Sequence, residues 1–225
     1  LLNSGSYMAK IDLRAAYRSV AIHPSDYKYT GLCFNFTDKS MSRYFFDTRL
    51  PFGSCLGPMI FHRISQSVKR MMSRKGYNNI IVYLDDFLCV ADSYEECVEV
   101  QHVLISLLIK LGFQISWKKV VDPCQRVEFL GIVIDSVQGT LSLSDEKVVK
   151  LKYKLNQFDN KVRATKRQLQ SLAGSLNWAC QAVQGGRFFL RRILDNIDHL
   201  KNASHKCKLT CGFKSDLKWW NSFLK

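Results

Sequence analysis

The chain has 225 residues, 47% apolar and 23% charged, the proportions of an ordinary globular protein long enough for one large core or a core with an appendage. No apolar run approaches the ~18–20 residues of a membrane span, no basic-apolar-small leader opens the chain, and eight cysteines without a CxxC pair read as scattered reduced thiols of an intracellular protein, cytoplasmic or nuclear. The net charge of +14 is uneven: residues 1–146 hold 16 Lys and Arg against 15 Asp and Glu, residues 147–225 hold 17 against 4, so the second part is expected to track a polyanion such as a nucleic-acid backbone.

SYMAKIDLRAAYRSVAIHP (Ser6 to Pro24) opens as a strand, with Ala9, Ile11 and Leu13 facing one way and Met8, Lys10 and Asp12 the other. Arg14 to Val20 turns helical, and Pro24 closes the segment. TGLCFNF and SRYFFDTRL read as aromatic-rich strands about a polar turn at Thr37 to Ser40. LPFGSCLGP is a loop, and Pro58 then suits a first helical turn, with Phe61, Ile64, Val68 and Met71 at helical spacing to about Arg74.

NNIIVYLDDFLCVAD (Asn78 to Asp92) is long for one strand and reads as a hairpin with its tip near Asp85 and Asp86. A helix follows, opened by a capping box of Ser93 and Glu96 and stopped by Gly112. FQISW, RVEFLGIVID and TLSLS are strands. From Asp145 the chain becomes helical and basic. Val148, Leu151, Leu155 and Phe158 line one helix, and a second capping box (Thr165, Gln168) opens another striped by Leu169, Leu172, Ala173, Leu176 and Val183. A further helix spans Arg187 to Leu200. The stretch His199 to Cys211 contains two His and two Cys, but at spacings unlike the usual zinc pairs.

Asp12, Asp85 and Asp86 are carboxylates at strand ends or a hairpin tip in apolar surroundings. Most Asp-Asp pairs are solvated turns; the IVYL and FLCV flanks set this one apart. Repulsion between adjacent carboxylates is relieved by a divalent cation, and hard oxygen ligands suit Mg²⁺. A strand Asp with a hairpin Asp-Asp meets the needs of two-metal nucleotidyl transfer, in which the ions activate a 3′-hydroxyl and stabilise the leaving pyrophosphate.

At these residues the chain resembles the reverse transcriptases of retroelements. YLDDF is similar to the family's Y-x-D-D box and AKIDLRAAYRSVAIHP to the box carrying the third aspartate, with Tyr17 five residues after Asp12. LPFGSCLGPMIF resembles the template and nucleotide loop of gypsy-like and DIRS-like retrotransposons, LGFQISWKK the motif whose lysine lies near the triphosphate, and VEFLGIVID the primer-grip hairpin. The five boxes stand in the family's order, and the resemblance extends over nearly the whole chain.

The resemblance implies an α+β fold: a polymerase palm with an antiparallel sheet packed on helices over residues 1–144, then a basic helical thumb and connection over 145–225. It implies two Mg²⁺ ions, with Mn²⁺ as a substitute, on Asp12, Asp85, Asp86 and the carbonyl of Leu13. Tyr17 would exclude a 2′-hydroxyl. Phe52, where retroviral enzymes carry glutamine, would pack against base or sugar, and Gly53 would admit the nucleotide to the backbone. Lys118 or Lys119 would protonate the pyrophosphate or neutralise it, with Lys119 counted among the catalytic groups and Lys118 among those binding nucleotide. Phe129, Leu130 and Gly131 would form the primer grip.

The implied partners are an RNA or DNA template with its primer, deoxynucleoside triphosphates, and other polyprotein domains such as ribonuclease H; no membrane is implied. The family places a fingers segment before the first aspartate box, and this chain opens about ten residues before Asp12. The expectation is therefore a palm, thumb and connection with fingers largely missing, from a longer polyprotein or a truncated copy. Two alternatives stand beside it: an inactive nucleic-acid-binding remnant, and an RNA-templated RNA polymerase, against which Tyr17 speaks.

Overall fold

The computed structural model describes residues 2–35 and 42–224, so the turn expected at Thr37 to Ser40 lies outside the described residues. They form two compact units, Leu1–Val127 with Ser136–Gln138, and Glu128–Asp135 with Gly139–Lys225.

In the first unit β1 (Tyr7–Arg14) leads through 3₁₀ turns at Ala16–Ser19 and Pro24–Tyr29 to an antiparallel pair, β2 (Gly31–Asn35) and β3 (Ser42–Phe46). There follow α1 (Gly57–Arg74), β4 (Ile80–Tyr83), β5 (Asp86–Ala91) and α2 (Tyr94–Lys110), then β6 (Gln114–Ile115), a 3₁₀ turn at Trp117–Lys119 and β7 (Val121–Cys124). The main sheet runs β4-β5-β1-β6, with β7 also paired to β1. Every pairing is antiparallel.

Strand alternation divides this sheet cleanly. Ala9, Ile11 and Leu13 of β1, Ile80 and Val82 of β4, and Phe87, Cys89 and Ala91 of β5 join one buried cluster with Phe61, Val68 and Met72 of α1 and Cys97, Val100, Leu104 and Leu108 of α2. α1 packs on β4, and α2 on β1 and β5. Lys10 and Asp12, with Asp86 opposite, fall on the other face. The second strand face is also largely closed, since Met8, Leu88 and Val90 are buried.

Two local expectations are corrected. Ser93 caps α2 by accepting from the Glu96 N–H, but Glu96 reaches back to the N–H of Asp92 rather than Ser93, so the reciprocal half of the capping box is displaced by one residue. The strand β7 lies in a stretch not read as a strand. It carries Pro123 and pairs with β1 across an irregular register, where a missing ladder donor is tolerated.

The chain passes into the second unit within β8 (Arg126–Phe129), which forms a three-stranded sheet with β9 (Ile132–Asp135) and β10 (Thr140–Leu143). Leu130 and Gly131 turn the β8–β9 hairpin at φ 52° and 82°. A Cβ on Gly131 would lie 2.9 Å from the Trp178 ring, so the hairpin needs glycine both for its backbone and for that approach. The hairpin belongs to the second unit, with α4.

Beyond β10 come α3 (Asp145–Asn156), β11 (Arg163–Thr165), α4 (Lys166–Ala179), α5 (Gly186–Asp198), β12 (Lys206–Lys208) and α6 (Cys211–Phe223). The capping box at Thr165 and Gln168 is fully formed. Leu151, Leu155 and Phe158 meet Leu169, Leu172, Ala173 and Leu176 in a core closed by Ile193, Phe213 and Trp220. The cysteine- and histidine-bearing stretch becomes β12, paired with β11, and the start of α6. No described helix is long and apolar enough to cross a membrane.

Candidate active site

The polar centre of the first unit is built by two adjoining strands. Asp12 of β1 and Asp86 of β5 are direct register partners, and Asp85 sits in the β4–β5 turn just before Asp86. Leu84, at φ 52°, makes that turn tight without a glycine. The N–H of Leu13 donates to the Asp85 carbonyl at 3.2 Å, pinning the turn to β1, while Leu13 itself pairs with Ile115 of β6.

Like charges opposite one another in a sheet repel, and the structure answers each with a lysine. Lys119 places Nζ 3.3 and 3.1 Å from the two oxygens of Asp12. Lys10 stands 3.5 Å from Oδ1 of Asp86, too far for a strong hydrogen bond, and this buried oxygen accepts none. Burial pushes the Asp86 carboxyl above its usual range. Lys10 opposes that rise, and the charges of Asp12 and Asp85 add to it. The Lys119 ammonium is held above its ordinary value by its hydrogen bond to Asp12.

Tyr17, on the 3₁₀ turn after β1, lies between two rings. Its centroid is 5.2 Å from Phe61, stacked, and 5.3 Å from Phe52, tilted by 33°. Burial raises its hydroxyl, and the nearby Asp85 carboxylate adds to the rise. Phe52 is 74% exposed, and Gly53 beside it adopts φ 89° with open space where a Cβ would stand. The two line a cleft of about 970 Å³ with Arg18, Tyr29, Asp47 and Leu50. Lys118 is exposed on the same turn as Lys119.

The fold thus joins Asp12, Asp85, Asp86 and Lys119 directly, and Tyr17 with Phe52 beside them. Phe129, Leu130 and Gly131 belong to the second unit, with Phe129 buried and Leu130 40% exposed. Lys10 was not singled out as a site residue. Its signal was present in the strand period, since Lys10 and Asp12 share a face.

The donor set is chemically suited to a hard divalent cation: carboxylate oxygens from three residues, one of them buried without a hydrogen bond. Among the described residues, however, no group of three or more His, Cys, Asp or Glu is gathered closely enough to hold a metal ion.

Comparison with known proteins bears on the family and the fold. Residues 2–134 match the family model for reverse transcriptase (RNA-dependent DNA polymerase). The genome polyprotein of Petunia vein clearing virus is 24% identical over 205 residues, covering 91% of this chain and 8% of that polyprotein. The putative enzymatic polyprotein of Cassava vein mosaic virus is 29% identical over 172 residues, 76% of this chain and 24% of that protein. The chain therefore spans less than a tenth of the first relative's length and about a quarter of the second's.

In three dimensions the chain is similar to a foamy viral protease-reverse transcriptase solved with double-stranded DNA, at TM-score 0.75 and 21% identity, over 100% of this chain and 36% of that one. The foamy viral protein solved with an RNA/DNA hybrid gives 0.74 and 22%, over 100% of this chain and 27% of that one. With its α+β fold, its antiparallel sheet on helices, and more than half its length matched, the chain belongs to the reverse transcriptase family.

Proposed function

We propose that the chain is the polymerase portion of an RNA-directed DNA polymerase, encoded by a gypsy-like or DIRS-like retrotransposon and acting inside the cell, in cytoplasm or nucleus. It adds deoxynucleotides to a primer 3′-hydroxyl on an RNA or DNA template. The observation that carries this reading is the register pair of Asp12 and Asp86 with Asp85 in the adjoining turn. Residues 1–144 act as palm and residues 145–225 as thumb and connection, the basic helices holding the primer–template duplex through its phosphates.

In this reading Asp12, Asp85 and Asp86, with the Leu13 carbonyl, hold two Mg²⁺ ions, for which Mn²⁺ can substitute. When bound, such ions make the attacking hydroxyl more acidic and neutralise the leaving pyrophosphate. The primer 3′-hydroxyl attacks the α-phosphate in line, and pyrophosphate departs. Tyr17, held between Phe52 and Phe61, meets the sugar where a 2′-hydroxyl would project. Phe52 packs on the nucleotide, Gly53 admits it to the backbone, and Lys118 binds its phosphates. Lys119 protonates or neutralises the pyrophosphate, and Phe129, Leu130 and Gly131 hold the primer end. Other polyprotein domains, such as ribonuclease H, would act on the same duplex.

The test is extension of a DNA primer on an RNA template by the chain together with its flanking coding sequence. Mg²⁺-dependent incorporation that Asp85→Asn abolishes is expected. Incorporation that survives Asp85→Asn would remove the carboxylates from the chemistry.

A further inference from the structure

The two ion pairs at the carboxylates are unequal. Lys119 spans both oxygens of Asp12, as a bound cation would, yet its side chain is 64% exposed against 9% for Asp12. Its backbone is anchored independently of that contact. The Ser116 N–H donates to the Asp12 carbonyl at 2.8 Å, and the Lys119 N–H to the Ser116 carbonyl at 2.8 Å. The lysine can thus leave the carboxylate without disturbing its own turn. Lys10 differs: it rises from the central strand, its side chain is only 19% exposed, and it stands beside the half-buried Asp86.

Charge accounting points the same way. Three carboxylates and two ammonium groups leave a formal balance of −1. Replacing Lys119 by one divalent cation brings it to zero, whereas adding the cation with both lysines in place makes it positive. Lys119 regains water at small cost because it is already mostly solvated, and exposed ion pairs are weak. A doubly charged ion at the same oxygens attracts them more strongly.

We propose that Lys119 is the internal counter-ion of Asp12 in the cation-free chain and is displaced by the first divalent cation, which frees its ammonium for the phosphates of the nucleotide; Lys10 stays with Asp86. This rests on the reading of Asp12, Asp85 and Asp86 as cation ligands. Occupancy of the carboxylates and availability of the lysine become one event, so the lysine is withheld from phosphate until a cation is in place.

The experiment needs neither nucleic acid nor catalysis. Mn²⁺ is titrated onto the chain by the loss of its free-ion spin resonance signal, and amine labelling at Lys119 is followed by mass spectrometry with and without Mg²⁺, ionic strength held constant. Mg²⁺ is expected to raise Lys119 labelling several-fold. Asp12→Asn raises it without Mg²⁺ and removes the response, and Lys119→Met binds Mn²⁺ several-fold more tightly. Saturable Mn²⁺ binding that Asp12→Asn weakens, with Lys119 labelling unchanged by Mg²⁺, overturns the exchange and leaves the cation site standing. Mn²⁺ binding indifferent to Asp12→Asn and Asp86→Asn overturns the cation site, and the exchange with it.

Discussion

Asp12 and Asp86 face each other across β1 and β5 as direct register partners, each on a lysine of its own. Two carboxylates so placed destabilise the folded chain, and the cost falls most heavily on Asp86, whose buried oxygen has no hydrogen bond.

Asp86→Asn should therefore stabilise the chain at pH 7 in the presence of chelator, by on the order of 1 kcal/mol. The folded-state pKa of Asp86 is raised, so the folded chain binds the proton more readily than the unfolded one. The penalty is present above that raised pKa and fades as pH falls through it toward the ordinary value of 3.8. Urea denaturation at pH 7 and near pH 4 checks this. A larger gain at pH 4 than at pH 7 would contradict the sign.

If Tyr17 acts as proposed, Tyr17→Ala should admit ribonucleotides, because the ring stacked on Phe61 would no longer bar a 2′-hydroxyl. The selectivity for deoxy- over ribonucleotides, measured as a ratio of kcat/KM, is expected to fall by at least about tenfold, or ~1.4 kcal/mol of discrimination. An unchanged ratio removes Tyr17 from sugar selection.

Gly131→Ala should destabilise the second unit by about 2 kcal/mol, through left-handed backbone strain and overlap with the Trp178 ring. Thermal melting reads the loss. A melting temperature equal to that of the unsubstituted chain would mean that the hairpin and α4 adjust at no cost.

Duplex binding should be weakly sequence-dependent and strongly salt-dependent, given 17 Lys and Arg against 4 Asp and Glu after residue 146. If about four phosphates are neutralised, affinity falls about a hundredfold between ~50 and ~200 mM salt. Fluorescence anisotropy on an RNA/DNA hybrid measures the slope, and a flat one would deny the basic helices their role.

Local signals made most of the fold legible. Strand alternation identified the helix-facing side of β1, Pro58 marked the start of α1, and the Thr165–Gln168 box opened α4 as expected. Signals that depend on distant partners did not show. Pro123 concealed β7, which exists because β1 offers it an edge. The stretch before α6 drew attention to its histidines and cysteines, although its capping residue, Thr210, and the buried Phe213, Leu217 and Trp220 specify a helix. At the site, residue type alone drew Asp12, Asp85 and Asp86 together, and the fold sets Asp12 and Asp86 in register. The pairing of Lys119 with Asp12, 107 residues apart, arises only when the turn at Trp117–Lys119 is folded against β1.

The most direct measurement of the central claim is single-nucleotide incorporation on an RNA template as a function of Mg²⁺, compared between the unsubstituted chain with its flanking sequence and Asp12→Asn. The account predicts saturable Mg²⁺ dependence, and a loss of at least about a thousandfold on substitution, ~4 kcal/mol of barrier. Incorporation by Asp12→Asn at a rate near that of the unsubstituted protein would contradict it.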